Sequence, residues 1–116
     1  MNASHETLIG VAAAFGAALH SGDFSAAYAM LCESFASSTS PAQLAEEYAL
    51  LAEDMGGVTG IGQPSVILEE WPGMAEQDVA LVYVPLEGDI YSEAVTVTIA
   101  QSSAGPCLSG LEWGRP

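Results

Sequence analysis

The chain has 116 residues, and its 15 Asp and Glu stand against a single Lys or Arg, for a formal charge of −14. Half of the residues are hydrophobic and 14% are charged, which excludes a disordered polyanion and fits one domain with an ordinary core. Phosphate contacts need Lys and Arg, so the composition argues against nucleic acid. No run of about 18 apolar residues exists to span a membrane. A surface this acidic repels anions and favours cations and basic proteins.

The first predicted element is a helix capped by Asn2 or Ser4, with Glu6 favourable near its N-terminus. Leu8, Val11, Phe15 and Leu19 form its apolar stripe, and the intervening alanines let another element approach closely. The apolar stretch over 8–19 looks superficially like a secretion signal. It lacks a preceding positive charge, so a helix and a cytoplasmic location are expected. Gly22 ends the helix. Asp23 caps a second helix from Phe24 to about Cys32, with Phe24, Tyr28 and Leu31 inward. Ser40-Pro41-Ala42-Gln43 opens a third, with Ser40 as N-cap, Pro41 at the first position and Gln43 completing a capping box. Leu44, Tyr48, Leu51 and Met55 are its buried positions. Glu46, Glu47, Glu53 and Asp54 are read as facing water.

After Gly57 the period changes from helical to alternating. Val58–Ile61 is a short strand or an irregular lead-in, Ser65–Trp71 a strand, and Asp78–Glu87 a long strand. A two-residue turn at Gly88-Asp89 leads into a returning strand, Ile90–Gln101. That turn sets Leu86 opposite Tyr91, Val84 opposite Glu93 and Val82 opposite Val95. Cys107–Trp113 is the last strand. The fold class is α+β, three N-terminal helices packed on a curved antiparallel sheet of four or five strands, within one domain spanning 1–116.

Cys32 and Cys107 have neither metal nor CxxC spacing. Free cysteines that pack as small hydrophobes are expected, and a long-range disulfide is the other reading, one that needs an oxidising compartment.

The run Ala17-Ala18-Leu19-His20-Ser21-Gly22-Asp23-Phe24, followed by Ala26-Ala27-Tyr28 and Cys32-Glu33-Ser34-Phe35, resembles the opening of the nuclear transport factor 2-like superfamily, whose cystatin-like cone is shared with ketosteroid isomerase and polyketide cyclases. Trp71-Pro72, the turn at Gly88-Asp89 and the closing Leu111-Glu112-Trp113-Gly114-Arg115-Pro116 fit its C-terminal meander. The resemblance implies a pocket between helices and sheet, and a homodimer through the outer sheet face.

Phe15, Tyr28, Tyr48, Tyr83, Tyr91, Glu93 and Trp113 are the candidate pocket residues. Glu93 stands out as a carboxylate on an apolar strand face, where burial would raise its pKa. Glu112 is read as an outward partner for Arg115, and the other accounts of Glu93 are that the strand end twists it into solvent or that Arg115 pairs with it. His20 suits a helix C-terminus, and His5 an exposed first turn. Trp71 and Trp113 read as packing residues. No residue is assigned as catalytic. No serine elbow, phosphate loop or metal pair occurs, so neither cofactor nor metal is implied. The leading expectation is a non-catalytic domain that binds a small hydrophobic ligand or a basic protein. The alternative is a cofactor-free isomerase, dehydratase or cyclase with Glu93 or His20 as base and a pocket tyrosine as oxyanion donor.

Overall fold

A computed structural model describes residues 4–114. Asn2 and Arg115, invoked above as cap and ion-pair partner, lie outside the described residues. Helix α1 (His5–Ser21) starts at Ser4, whose side chain accepts from the Thr7 N–H, and stops at Gly22 in the left-handed conformation. Helix α2 (Phe24–Ala29) starts at Asp23, which accepts from the Ala26 N–H. Helix α4 (Pro41–Asp54) starts at Ser40, which accepts from the Gln43 N–H. Each cap satisfies an amide that the first helical turn leaves without a partner. These are the three helices expected from sequence. A single turn, α3 (Glu33–Ala36), lies between the second and third of them. The capping box at α4 is half formed, because the Gln43 side chain reaches forward to Glu47 instead of back to Ser40.

Five strands follow: β1 (Val58–Ile61), β2 (Ser65–Leu68), β3 (Asp78–Gly88), β4 (Glu93–Ser102) and β5 (Gly105–Trp113). All neighbouring pairs are antiparallel, in the order β1-β3-β4-β5, with β2 also on β3. β1 and β2 run along the same edge of β3, so they act as one strand interrupted at Gly62-Gln63-Pro64. A proline has no N–H for the ladder, and it sits at this break. The register slips once in each of the four pairings, and such bulges bend strands. Within 65–71 only Ser65–Leu68 is strand, and Trp71 lies beyond its end.

The hairpin between β3 and β4 corrects the expected register. Leu86 faces Glu93, Val84 faces Val95 and Val82 faces Val97. The pairing is displaced by two residues from that of a tight Gly88-Asp89 turn. Because strand side chains alternate with period two, the displacement leaves every β4 residue on its expected face. Its cost falls on Tyr91, which moves from the strand into the loop. The reason is local packing: the Ile90 N–H donates to the Met55 carbonyl and the Asp89 N–H to the Gly57 carbonyl, so the loop is tied to the end of α4.

One sheet face carries Ala80, Val82, Val84, Leu86, Val95, Val97, Ile99 and Leu108, all fully buried. Leu8, Ala12, Phe15 and Leu19 of α1, Leu44 of α4 and Met55 just after it complete this core. Gly16 belongs to the same contact: an added methyl there would lie 3.1 Å from Ile61 and from Val84.

The cysteines overturn the expectation of free thiols. Cys32 and Cys107 form a disulfide. The chain leaves α2 three residues earlier than expected because Met30–Cys32 joins the sheet. The Leu108 N–H donates to the Met30 carbonyl at 3.0 Å, and the Cys32 N–H to the Leu108 carbonyl at 2.7 Å. This parallel bridge pairs Leu31 with Leu108 and brings the two sulfur atoms together on the free edge of β5.

Three outcomes test this account. An added methyl at Gly88 would meet the Tyr91 carbonyl oxygen and lie 2.9 Å from Met55 Cβ. Gly88→Ala should therefore cost about 1–3 kcal/mol in urea denaturation. Gly10→Ala, with open space around an exposed helical site, should gain about 0.5–1 kcal/mol. The cysteines are 75 residues apart, and closing a loop of that length removes unfolded-chain entropy worth about 4 kcal/mol. Reduction, or the double variant Cys32→Ser/Cys107→Ser, should lower stability by that order, read as a shift of the urea midpoint.

Candidate functional site

The seven candidate pocket residues do not converge. Phe15 is fully buried in the core. Tyr28 is half-buried, and its hydroxyl donates to the Ala36 carbonyl at 2.7 Å, tying α2 to the end of α3. Tyr83 sits opposite Thr96 and Ser65 on the outer sheet face, away from Phe15. Tyr91 is 40% exposed in the hairpin loop. Glu93 is half-buried opposite Leu86 at the start of β4. The space between helices and sheet is occupied by the side chains of Phe15, Leu19, Met55, Leu86, Val95 and Val97.

Tyr48 and Trp113 do meet. Their rings are edge to face with centroids 6.3 Å apart, and Phe24 lies against Tyr48 at 5.9 Å. Trp113 reaches this place because it is opposite Val95, on the face that α4 covers. Edge-to-face pairs of this kind add to area burial and fix ring orientation. Burial pushes the Tyr48 phenol above its ordinary pKa, since phenolate is poorly solvated there.

The carboxylate delivered to this cluster is Glu47. Trp113 Nε1–H donates to Glu47 Oε1 at 2.8 Å, and Gln43 Nε2–H to Oε2 at 2.9 Å. Two N–H donors on different elements thus hold both oxygens. Glu47 was expected to face water with its helical neighbours, and it is instead half-buried. The spacing of Gln43 and Glu47, four residues on one helix, was the available signal. The tryptophan partner, 66 residues away, left none.

Glu47 lines a groove of about 520 Å³ together with Phe35, Ser37, Ser38, Thr39, Ser40 and Gln43. The Ser37 hydroxyl donates to the Ser34 carbonyl and the Ser38 hydroxyl to the Phe35 carbonyl, each at 2.8 Å. A second groove of about 400 Å³ lies between α1 and the β1–β2 break, lined by Ala13, Ala17, His20, Ser21, Ile61 and Pro64 among others. His20 is exposed in the last turn of α1, where a cation suits the helix C-terminus. His5 is exposed and lies 3.1 Å from Glu69. Among the described residues, no group of three or more His, Cys, Asp and Glu is placed to hold a metal ion, and no helix is long and apolar enough to cross a membrane.

Comparison of the chain with protein-family models, with curated proteins and with solved structures gives no match.

The buried phenol makes stability depend on alkaline pH, with a definite sign. A group that the fold keeps protonated contributes in full below its unfolded pKa, about 10 for tyrosine, and the contribution is lost as pH rises through the folded value. The urea midpoint should fall as pH rises above about 10, and Tyr48→Phe should make that fall shallower.

Proposed function

We propose that the protein is a non-catalytic binding domain whose acidic exterior receives a basic protein partner. The observation that carries this reading is the excess of carboxylates on the exterior. Among the described residues, the side chains packed between helices and sheet include Phe15, Leu19, Met55, Leu86, Val95 and Val97, all fully buried. The charge of −14 supplies long-range attraction for a cationic surface. The exposed carboxylates Glu53, Asp54, Glu87 and Asp89 sit around the exposed Ile90 where the hairpin docks on the end of α4. The ordered Glu47 groove is a further acidic feature of the exterior.

The alternative, an isomerase-type enzyme, needs a base and a tyrosine hydroxyl converging on one substrate. The Tyr28 hydroxyl is spent on a backbone carbonyl, and Tyr83, Tyr91 and Glu93 stand apart, so the geometry favours binding over catalysis. A cone of the nuclear transport factor 2-like kind remains our reading of the fold's kinship, supported by helices preceding an antiparallel meander. A homodimer would use the outer sheet face around Leu81 and Tyr83. The disulfide supports an oxidising compartment over the cytoplasmic location expected from sequence.

The test is association kinetics with a basic partner as salt is raised. The on-rate should fall steeply between about 0.05 and 0.5 M salt, while dissociation changes less. A native mass spectrum should show protein without a retained apolar molecule. A co-purified hydrophobic ligand together with salt-independent association would refute the reading.

A further inference from the structure

We propose that the groove at Glu47 is a receptor for a cationic side chain, the ammonium of lysine or the guanidinium of arginine, presented by the partner. The assignment rests on the basic-partner reading above and gives it a place on the molecule.

The reasoning is an inventory of donors and acceptors. A carboxylate only accepts hydrogen bonds and offers about four lone-pair directions. Glu47 uses one on each oxygen, for Trp113 and for Gln43, so both oxygens keep capacity toward the groove. Because Glu47 can only accept, the Gln43 amide must turn its nitrogen inward, which leaves its carbonyl oxygen as a further acceptor. Ser37 and Ser38 have given their only hydroxyl protons to backbone carbonyls, so each presents lone pairs alone. The wall thus gathers acceptors and one negative charge beside the Thr39 and Ser40 hydroxyls, which can turn to accept or donate, and none of its lining residues is cationic. Lys and Arg side chains are the complement, with donors only and a positive charge.

The rest of the groove suits such a group. Phe35 gives an apolar wall for the methylene stem, which long basic side chains bury while the head stays polar. Preorganisation matters too. The Trp113 indole and Gln43 amide hold the carboxylate from opposite sides, so less side-chain entropy is lost on binding than at a free surface glutamate. Anions are repelled here.

The Trp113 indole N–H touches the proposed site directly, and the chain has only two tryptophans, so Trp71 serves as an internal control. The experiment is a ¹⁵N–¹H titration of the full chain with a terminally blocked octapeptide of alternating glycine and arginine, and with its citrulline counterpart, which keeps shape and loses charge. The arginine peptide should shift the Trp113 indole signal saturably, leave Trp71 in place, and lose this effect when citrulline replaces arginine. Glu47→Gln should weaken binding roughly tenfold or more. Glu46→Gln, which removes the same charge from an exposed neighbour, should change it less than about twofold. Ser38→Lys, at an exposed rim position, keeps Glu47 and should weaken binding by placing an ammonium in the groove.

Equal weakening by Glu46→Gln and Glu47→Gln would overturn the assignment, because only net charge would then matter. Shifts confined to Glu53–Asp54 and Glu87–Asp89 would overturn the groove and leave the basic-partner reading standing. No shift anywhere, together with salt-independent association in the kinetic test, would remove both.

Discussion

The apolar face shared by β3 and β4 is the constraint on which the rest of this structure depends. Val82, Val84, Leu86, Val95, Val97 and Ile99 cannot face water as a block, so that face must be covered. Helix α1 supplies the cover with Phe15 and Leu19, and α4 with Leu44, while Met55 follows at its end. Once α4 lies there, its next face brings Tyr48 against Trp113 and sets Glu47 beside the indole. Core packing thus places one side of the acidic groove, the side formed by Gln43 and Glu47 of α4.

The charge distribution works against this stability. Glu53 and Asp54 occupy the last turn of α4, which holds no basic residue, and a carboxylate near a helix C-terminus is disfavoured by the backbone dipole. Glu87 and Asp89 are brought to the same corner by the hairpin, whose loop is bonded to Met55 and Gly57. Mutual repulsion of this kind lowers stability at low salt. The disulfide offsets part of it. The bridge at Leu31–Leu108 and the Cys32–Cys107 bond tie a loop onto the free edge of β5, shielding it from pairing with another chain.

Much of the fold was legible because it is written in local rules. Ser4, Asp23 and Ser40 cap helices by accepting a hydrogen bond from the amide three residues ahead, and such signals read directly from sequence. The long strands announced themselves through alternation. The hairpin register did not, since a turn's length depends on what its loop touches, and here the loop touches α4. The site was less legible still. Tyr48 and Trp113 are legible as candidates, but the carboxylate bonded to Trp113 is not, because helical periodicity places Glu47 at the margin of the buried stripe. Its capture needs an indole from the far end of the chain. Tyr83 and Tyr91 failed for simpler reasons, one lying on the opposite sheet face and the other outside the strand. The disulfide followed from a tertiary bridge that no cysteine spacing could reveal.

A small domain has one interior to use, and here it is used for stability. A chain of this size buries roughly two-thirds of its extended surface, and Phe15, Leu19 and Met55 pack between helices and sheet. An exterior site cannot rely on low dielectric to strengthen its contacts, so it must rely on orientation and on long-range field. Both are present in this molecule. The field comes from 15 carboxylates against one Lys or Arg, and the orientation from two N–H donors that fix one of those carboxylates in place.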